Sequence, residues 1–244
     1  MADLIPLRDY PGERRTFPWV MLTIVAVNIV AFVFELGVGS TDALDQLFLS
    51  AGVVPVEFTR HVQVGPPPPF DVLWLTLITS MFLHGGLLHI GSNMLYLFIF
   101  GDNVEDRLGH ARFLIFYFLC GIIAGLTHIA ANANSDTPSL GASGAIAGVL
   151  AAYLRLFPRA QVRTLIFIGP LILVPRIAGA FLIVFWFFTQ FVSGITSLGA
   201  NTDTSGGVAV WAHIGGFLAG LLLVQVMRPR QVGSVSLPDG SPPI

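Results

Sequence analysis

Long apolar runs occupy most of this chain, and a run of about 20 such residues crosses a bilayer as one helix. Of the 244 residues, 54% are hydrophobic and 11% are charged. The runs are Trp19 to Leu36, Leu73 to Phe100, Ala111 to Ala130, Ser143 to Phe157, Ile177 to Ile195 and Val208 to Met227. We interpret them as the six transmembrane helices of an all-α, multi-pass integral membrane protein.

The second run, Leu73 to Phe100, is too long for one span. It is interrupted at His84-Gly85-Gly86, and glycine pairs favour breaks in a helix. We therefore predict an interfacial segment before the break and a membrane span after it.

The arginines indicate how the chain is oriented. All twelve basic residues are arginine, and cytoplasmic loops carry an excess of Lys and Arg. Eleven lie before run one, between runs two and three, between runs four and five, or after run six; only Arg60 falls on the other side. Both termini are therefore predicted to be cytoplasmic.

Three regions follow from this topology. Residues 1–18 are expected to form a cytoplasmic N-terminal segment, residues 19–227 a six-helix membrane domain, and residues 228–244, rich in Pro, Gly and Ser, a disordered cytoplasmic tail. The first span lacks an A-x-A-like cleavage site and is expected to remain as an anchor. With the inward arginine bias and no transit peptide, the expected location is a prokaryotic plasma (inner) membrane.

Charge and metal-ligand patterns disfavour several function classes. A net charge of -2 without a basic run argues against a nucleic-acid partner. The single cysteine, Cys120, can form no internal disulfide. His84, His89, His128 and His213 lie in apolar runs, but no H-E-x-x-H motif or nearby carboxylate accompanies them, so no metal and no cofactor is expected.

Polar side chains inside apolar runs are costly, and each is a candidate for function. Ser143 and His213 each lie fourteen residues before the inner end of their run, and His89 lies eleven before its own. At about 1.5 Å per residue these distances are ~21 Å and ~17 Å. Three segments therefore present polar groups at one level, below the outer membrane surface.

This convergence favours nucleophilic catalysis. A serine needs a base within hydrogen-bond reach, and the imidazole of His213 would serve Ser143. His89 and Asn93, at positions i and i+4, project from one helical face and could donate to an oxyanion. No intramembrane carboxylate is available to orient the histidine, so the predicted unit is a Ser-His dyad.

Glycines surround the same residues. Gly141 permits backbone conformations just before the serine that other residues disfavour. Gly144 and Gly148 leave one side of the fourth span without side chains. Gly216 and Gly220 form a G-x-x-x-G, a spacing that lets helix backbones approach closely. Close approach of spans four and six would bring the histidine to the serine.

Each feature taken alone also has a structural interpretation. A Gly-x-Ser-Gly at a helix start is commonly a cap or packing site. His213, or His89 with Asn93, could instead form hydrogen bonds between helices. Only the conjunction at matched depth favours catalysis.

Three motifs together resemble the rhomboid family of intramembrane serine proteases: "HGGLLHIGSNMLYLFIFGDNVEDRLGH", "GASGAIAG" and "AHIGGFLAG". The resemblance implies a six-helix fold with Ser143 as nucleophile and His213 as general base. It also implies that His89 and Asn93 assist the oxyanion, and that Trp186 lies where the family opens laterally.

The match extends to Glu105, Arg107 and Gly109, which resemble a structural segment of the family. Two departures stand out. The loop before span two reads "LWLTLITS", without the Trp-Arg pair of some members. Some members also stack a tyrosine on the catalytic histidine from the position that is Ala147 here, so another contact must orient His213.

We therefore expect an endopeptidase that cleaves transmembrane segments of single-span membrane proteins near the outer face. Its partners would be those substrates and the lipid bilayer. A non-catalytic rhomboid-like binder of transmembrane clients is the main alternative, although such proteins would be expected to lack the serine or the histidine. A small transporter or channel is disfavoured by the missing carboxylates and internal repeats.

Overall fold

A computed structural model describes residues 4–10, 15–168, 171–197 and 210–227, and side chains within them except at 168, 190, 191 and 193–197. The predicted tail, 228–244, lies outside the described residues. The fold is mostly helical. Its helices are α1 (Trp19–Leu36), α2 (Thr41–Ala51), α3 (Pro55–Arg60), α4 (Thr76–Thr79), α5 (Leu87–Leu108), α6 (His110–Ala131), α7 (Ser143–Leu156), α8 (Gly179–Ser197) and α9 (Val210–Val226).

Two of the described helices, α1 and α6, are long and apolar enough to cross a membrane. A third candidate is the pair Leu73–Phe82 and Leu87–Leu108, which is bent by 84°. The break predicted at His84-Gly85-Gly86 is therefore present. Shorter apolar helices are Ser143–Leu156, Gly179–Thr189 and Val210–Val226. The count of six spans and the side of each terminus stay predictions.

The all-α prediction was wrong in one respect, because four strands form an antiparallel sheet. They are β1 (Leu4–Tyr10), β2 (Gln161–Ile168), β3 (Leu171–Leu173) and β4 (Arg176–Ala178). β2 is central and pairs with the other three. Its residues alternate, with Val162 and Thr164 fully buried and Arg163 exposed, which is the period of a half-buried strand.

Helix α7 forms the centre of the bundle. Every residue from Gly144 to Tyr153 is buried, and most are small, so neighbouring helices can approach on several sides. A Cβ at Gly148 would lie 2.5 Å from the Cys120 sulfur of α6. Cys120 is fully buried and fills this gap as a packing residue.

The start of α1 is attached to the end of α5 by a carboxylate. Glu105 is fully buried and accepts the backbone N–H groups of Val20 at 3.0 Å and Met21 at 2.7 Å. His110 Nδ1 lies 2.5 Å from the same carboxylate. Because the first N–H groups of a helix have no partner within it, Glu105 satisfies them and sets where α1 begins.

Candidate active site

Ser143 is the first residue of α7, at the end of a loop that requires glycine. Gly141 has φ +116°, a backbone conformation that favours glycine. Its N–H donates to the Ser80 carbonyl at 2.8 Å. This loop leaves the Ser143 side chain half-buried rather than enclosed, and its backbone N–H lies in the first turn of α7.

His213 of α9 lies against the serine. Its Nε2 atom is 2.7 Å from Ser143 Oγ, and the residue is 6% exposed. The two residues are 70 positions apart in the chain. A hydroxyl and an imidazole at this distance can share a proton.

Glycines on both helices permit this contact. A Cβ at Gly216 would collide with the Gly144 backbone, and a Cβ at Gly220 would lie 2.6 Å from the Gly148 Cα. In the other direction, a Cβ at Gly148 would lie 3.0 Å from the Gly216 carbonyl oxygen. Helices α7 and α9 therefore meet backbone to backbone, as the glycine spacing predicts.

His89 of α5 approaches the same loop. A Cβ on Gly141 would lie 2.7 Å from His89 Nε2 and 3.7 Å from Ser143 Oγ, so the two side chains flank one glycine. The Gly85 N–H donates to His89 Nδ1 at 3.3 Å. This bond assigns the proton of the neutral ring to Nε2, which then is a donor on the serine side.

Asn93 lies one helical turn beyond His89. It is 6% exposed, and its Nδ2 is buried without a hydrogen-bond partner among the described residues. A buried amide donor is costly to leave unpaired, and such groups call for an explanation. A transient oxyanion near Ser143 would provide one.

Trp186 of α8 packs against His213, with ring centroids 5.5 Å apart and an interplanar angle of 45°. Ala147, where some members of the resembled family carry a stacking tyrosine, is fully buried and offers no ring. The indole of Trp186 therefore contacts the imidazole from the α8 side. The sequence alone did not connect Trp186 to the orientation of the histidine.

Glu35 is a second contributor that the sequence did not assign to the site. It lies in the last turn of α1, is 3% exposed, and accepts the His84 N–H at 3.1 and 3.2 Å. His84 in turn packs edge-on against His89, with ring centroids 5.0 Å apart. The sequence signal that could have pointed to Glu35 is its position as a carboxylate near the end of an apolar run.

Histidines do not gather into a metal site in the described part of the chain. No group of three or more His, Cys, Asp or Glu side chains there could hold a metal ion. His128 lies on α6 and contacts Asn132 one turn away, at 3.3 Å. The expectation that no metal or cofactor is needed stays a prediction.

Comparison with known proteins decides the family. The family model described as the Rhomboid domain matches residues 72–230, more than half of the chain. The chain belongs to the rhomboid family. The matched region includes all four predicted site residues, Ser143, His213, His89 and Asn93, and this family contains both active proteases and inactive rhomboid-like proteins.

Curated relatives of this rhomboid chain include bacterial and mitochondrial proteins. It is 34% identical over 161 residues to "Rhomboid protease GluP" of Bacillus subtilis, covering 66% of the chain and 27% of that protein. It is 31% identical over 163 residues to "Presenilin-associated rhomboid-like protein, mitochondrial" of Mus musculus, covering 63% and 38%. The match thus spans between about a quarter and two fifths of these relatives' length.

Proposed function

We propose that this chain is an intramembrane serine endopeptidase in which Ser143 and His213 form the catalytic dyad. The observation that carries the proposal is the 2.7 Å distance between Ser143 Oγ and His213 Nε2. The unpaired Asn93 amide and the His89 Nε2 donor beside the same loop support it. The four groups come from three helices that are distant in sequence, α5, α7 and α9, and converge as the parts of a catalytic site must.

In this mechanism Ser143 Oγ attacks a peptide carbonyl carbon while His213 Nε2 accepts the hydroxyl proton. The carbonyl oxygen becomes an oxyanion, stabilised by hydrogen bonds from His89, Asn93 and the Ser143 backbone N–H. The C–N bond then breaks, and His213 gives its proton to the leaving amine. Water, deprotonated by His213, attacks the acyl-enzyme and releases Ser143.

The proposed substrate is a transmembrane segment of a single-span membrane protein. A cavity of about 220 Å³ is enclosed by α5, α7, α8 and β1 and reaches Trp186. Its wall includes Tyr96 and Phe100 of α5 and Phe185 and Thr189 of α8. We place the entry of an unwound substrate here, because extended backbone within a bilayer is tolerated only where protein or water surrounds it.

A fluorophosphonate probe tests the nucleophile. The purified full chain should be labelled, and Ser143→Ala should lose the label. Ser139→Ala is the matched control, since Ser139 lies in the same loop before α7, and it should keep the label. Equal labelling of both variants, or none of a folded wild type, would contradict the dyad and favour a non-catalytic binder.

Coexpression with a panel of single-span reporter proteins tests the substrate class. Reporter fragments should accumulate with wild type and be absent with Ser143→Ala. The fragment size should place the cut near the outer end of the reporter helix. Membrane fractionation of a prokaryotic host tests the proposed plasma-membrane location, since the relatives include both bacterial and mitochondrial proteins.

A further inference from the structure

Three arginines lie side by side across the sheet. Arg8 of β1 is paired with Arg163 of β2, and Arg163 is paired with Arg176 of β4. Directly opposed residues of antiparallel strands project from the same face, with Cβ atoms about 5 Å apart. All three arginines are exposed, so the sheet presents a row of three guanidinium groups, here named the arginine row.

The other face of the sheet packs against the helices. Val162 and Thr164 are fully buried there. Asp9 also points to that side, where it accepts from the Asn103 amide of α5 at 2.8 Å. The arginine row therefore faces away from the bundle and is open to a ligand.

The row holds like charges together, although the Asp9 carboxylate on the other face of the sheet interacts electrostatically with Arg8. Opposed like charges destabilise a sheet, and in the described part of the chain no carboxylate forms an ion pair with any of the three. Tyr10 holds two of them in place, with its ring centroid 4.6 Å from Arg176 Cζ and 5.6 Å from Arg8 Cζ. A bound anion would relieve the repulsion, and the guanidinium fork matches phosphate oxygens.

The same face becomes apolar toward the β2–β3 end. Phe167 is 38% exposed and its pairing partner Ile172 is 60% exposed. Four residues along a strand span about 13 Å. One phospholipid molecule can therefore contact both Arg163 and this apolar end. This face therefore presents a tyrosine, then the arginine row, then an apolar end. The first two suit the headgroup layer of a membrane, and the apolar end suits the acyl layer.

We propose that the arginine row binds the phosphate of an anionic phospholipid, whose acyl chains lie against Phe167 and Ile172. This site is separate from the dyad and does not depend on the proposed function. Because β4 ends at Ala178 and α8 begins at Gly179, the bound lipid would fix the start of the helix that carries Trp186.

Native mass spectrometry of the full chain in detergent micelles tests this site. Micelles are doped with phosphatidylglycerol or with phosphatidylcholine, and the retained lipid is compared. Each arginine near an anionic surface contributes about a fivefold factor, so we expect a preference for phosphatidylglycerol of about tenfold or more. Arg8→Gln/Arg163→Gln/Arg176→Gln should lower it to about twofold or less.

The matched control is Arg15→Gln/Arg155→Gln/Arg159→Gln, which removes three exposed arginines that are assigned to the same membrane side, and it should keep the preference. An equal loss of the phosphatidylglycerol preference in both triple variants would overturn the site, because it would show that arginines anywhere on this side attract the lipid. An unchanged preference in the variant of Arg8, Arg163 and Arg176 would also overturn it. Arg8→Lys/Arg163→Lys/Arg176→Lys retains the charge and should keep most of the preference. If the triple variant does not fold, Arg163→Gln alone is measured in the same way and should lower the preference by about fivefold.

Inorganic phosphate separates a lipid site from a free-anion site. Added phosphate should reduce phosphatidylglycerol retention no more than potassium chloride of the same ionic strength. Selective displacement by phosphate would overturn the assignment to a lipid.

Discussion

At the scale of single residues, the candidate site combines one hydroxyl with an imidazole from a second helix and two polar side chains from a third. Ser143, His213, His89 and Asn93 lie on α7, α9 and α5. Their common level was predictable because the helical rise is constant. The contacts of Trp186 and Glu35 were not predictable, because they depend on how α8 and the end of α1 pack.

His89→Ala and Asn93→Ala should each lower kcat by about 10² to 10³-fold with a smaller change in KM, because each removes a donor used mainly in the transition state. Steady-state kinetics on a reporter peptide would measure this. Ser92→Ala is the control, since that exposed hydroxyl bonds to its own helix at His89 O, 2.9 Å away. A loss in KM alone would argue for substrate binding rather than oxyanion stabilisation.

Gly141→Ala should abolish fluorophosphonate labelling. The new methyl group would lie 2.7 Å from His89 Nε2, at a φ of +116° that alanine rarely adopts. Gly39→Ala, a loop position with no atoms within 4 Å, should retain labelling. Normal labelling of Gly141→Ala would show that the loop before Ser143 can shift without harm.

At the scale of elements, two packing arrangements position the site: the glycine contact between α7 and α9, and the sheet beside α8. The first was predictable from G-x-x-x-G spacing. The sheet was not, because the segment 161–178 combines arginines, prolines and short apolar stretches that are typical of a loop. The longest pairing of β2 is with β1, which is distant in sequence and contributes no local signal.

Gly216→Ala should separate α7 from α9 and reduce both activity and thermal stability, because its Cβ would collide with the Gly144 backbone. Overpacking of this kind costs about 1–3 kcal/mol. Gly91→Ala is the matched helical control, since nothing lies within 4 Å of its added carbon. A melting temperature for Gly216→Ala at or above that of Gly91→Ala would contradict the close contact.

Docking of β1 should depend on pH through Asp9. Burial raises the pKa of the Asp9 carboxyl from 3.8 to about 6, and the Asp102 carboxylate adds to the rise. The docked strand therefore binds a proton more readily than the free strand, so docking is strongest below about pH 4 and weakens as the pH rises through 6. A spin label at Leu7→Cys should become more mobile over that range.

Asp9→Asn should remove this pH dependence, because an amide does not titrate. Its side-chain oxygen can still accept from Asn103, so docking itself should be retained. Asp45→Asn, at an exposed position on α2, should leave the dependence unchanged. The buried Cys120 is out of reach of the labelling reagent. Equal mobility at pH 4 and pH 7 in the wild-type strand would contradict the role of Asp9.

At the scale of the whole molecule, the arginine distribution predicts which loops share a side of the membrane. Single cysteines replacing Asp45 and Arg159 lie in exposed segments on opposite predicted sides. An impermeant maleimide should label position 45 in right-side-out vesicles and position 159 in inverted vesicles. Labelling of both from one side would overturn the six-span topology.

The pairing of β1 with β2 also constrains how the protein is made. Leu4 is aligned with Ile166, so β1 leaves the ribosome long before its neighbour exists, while α1 to α7 are synthesised in between. Long-range strand pairing is slow because a large loop must close first. The sheet therefore closes late in biogenesis, and a nascent chain halted before residue 161 would hold its leading strand unpaired and accessible to chaperones.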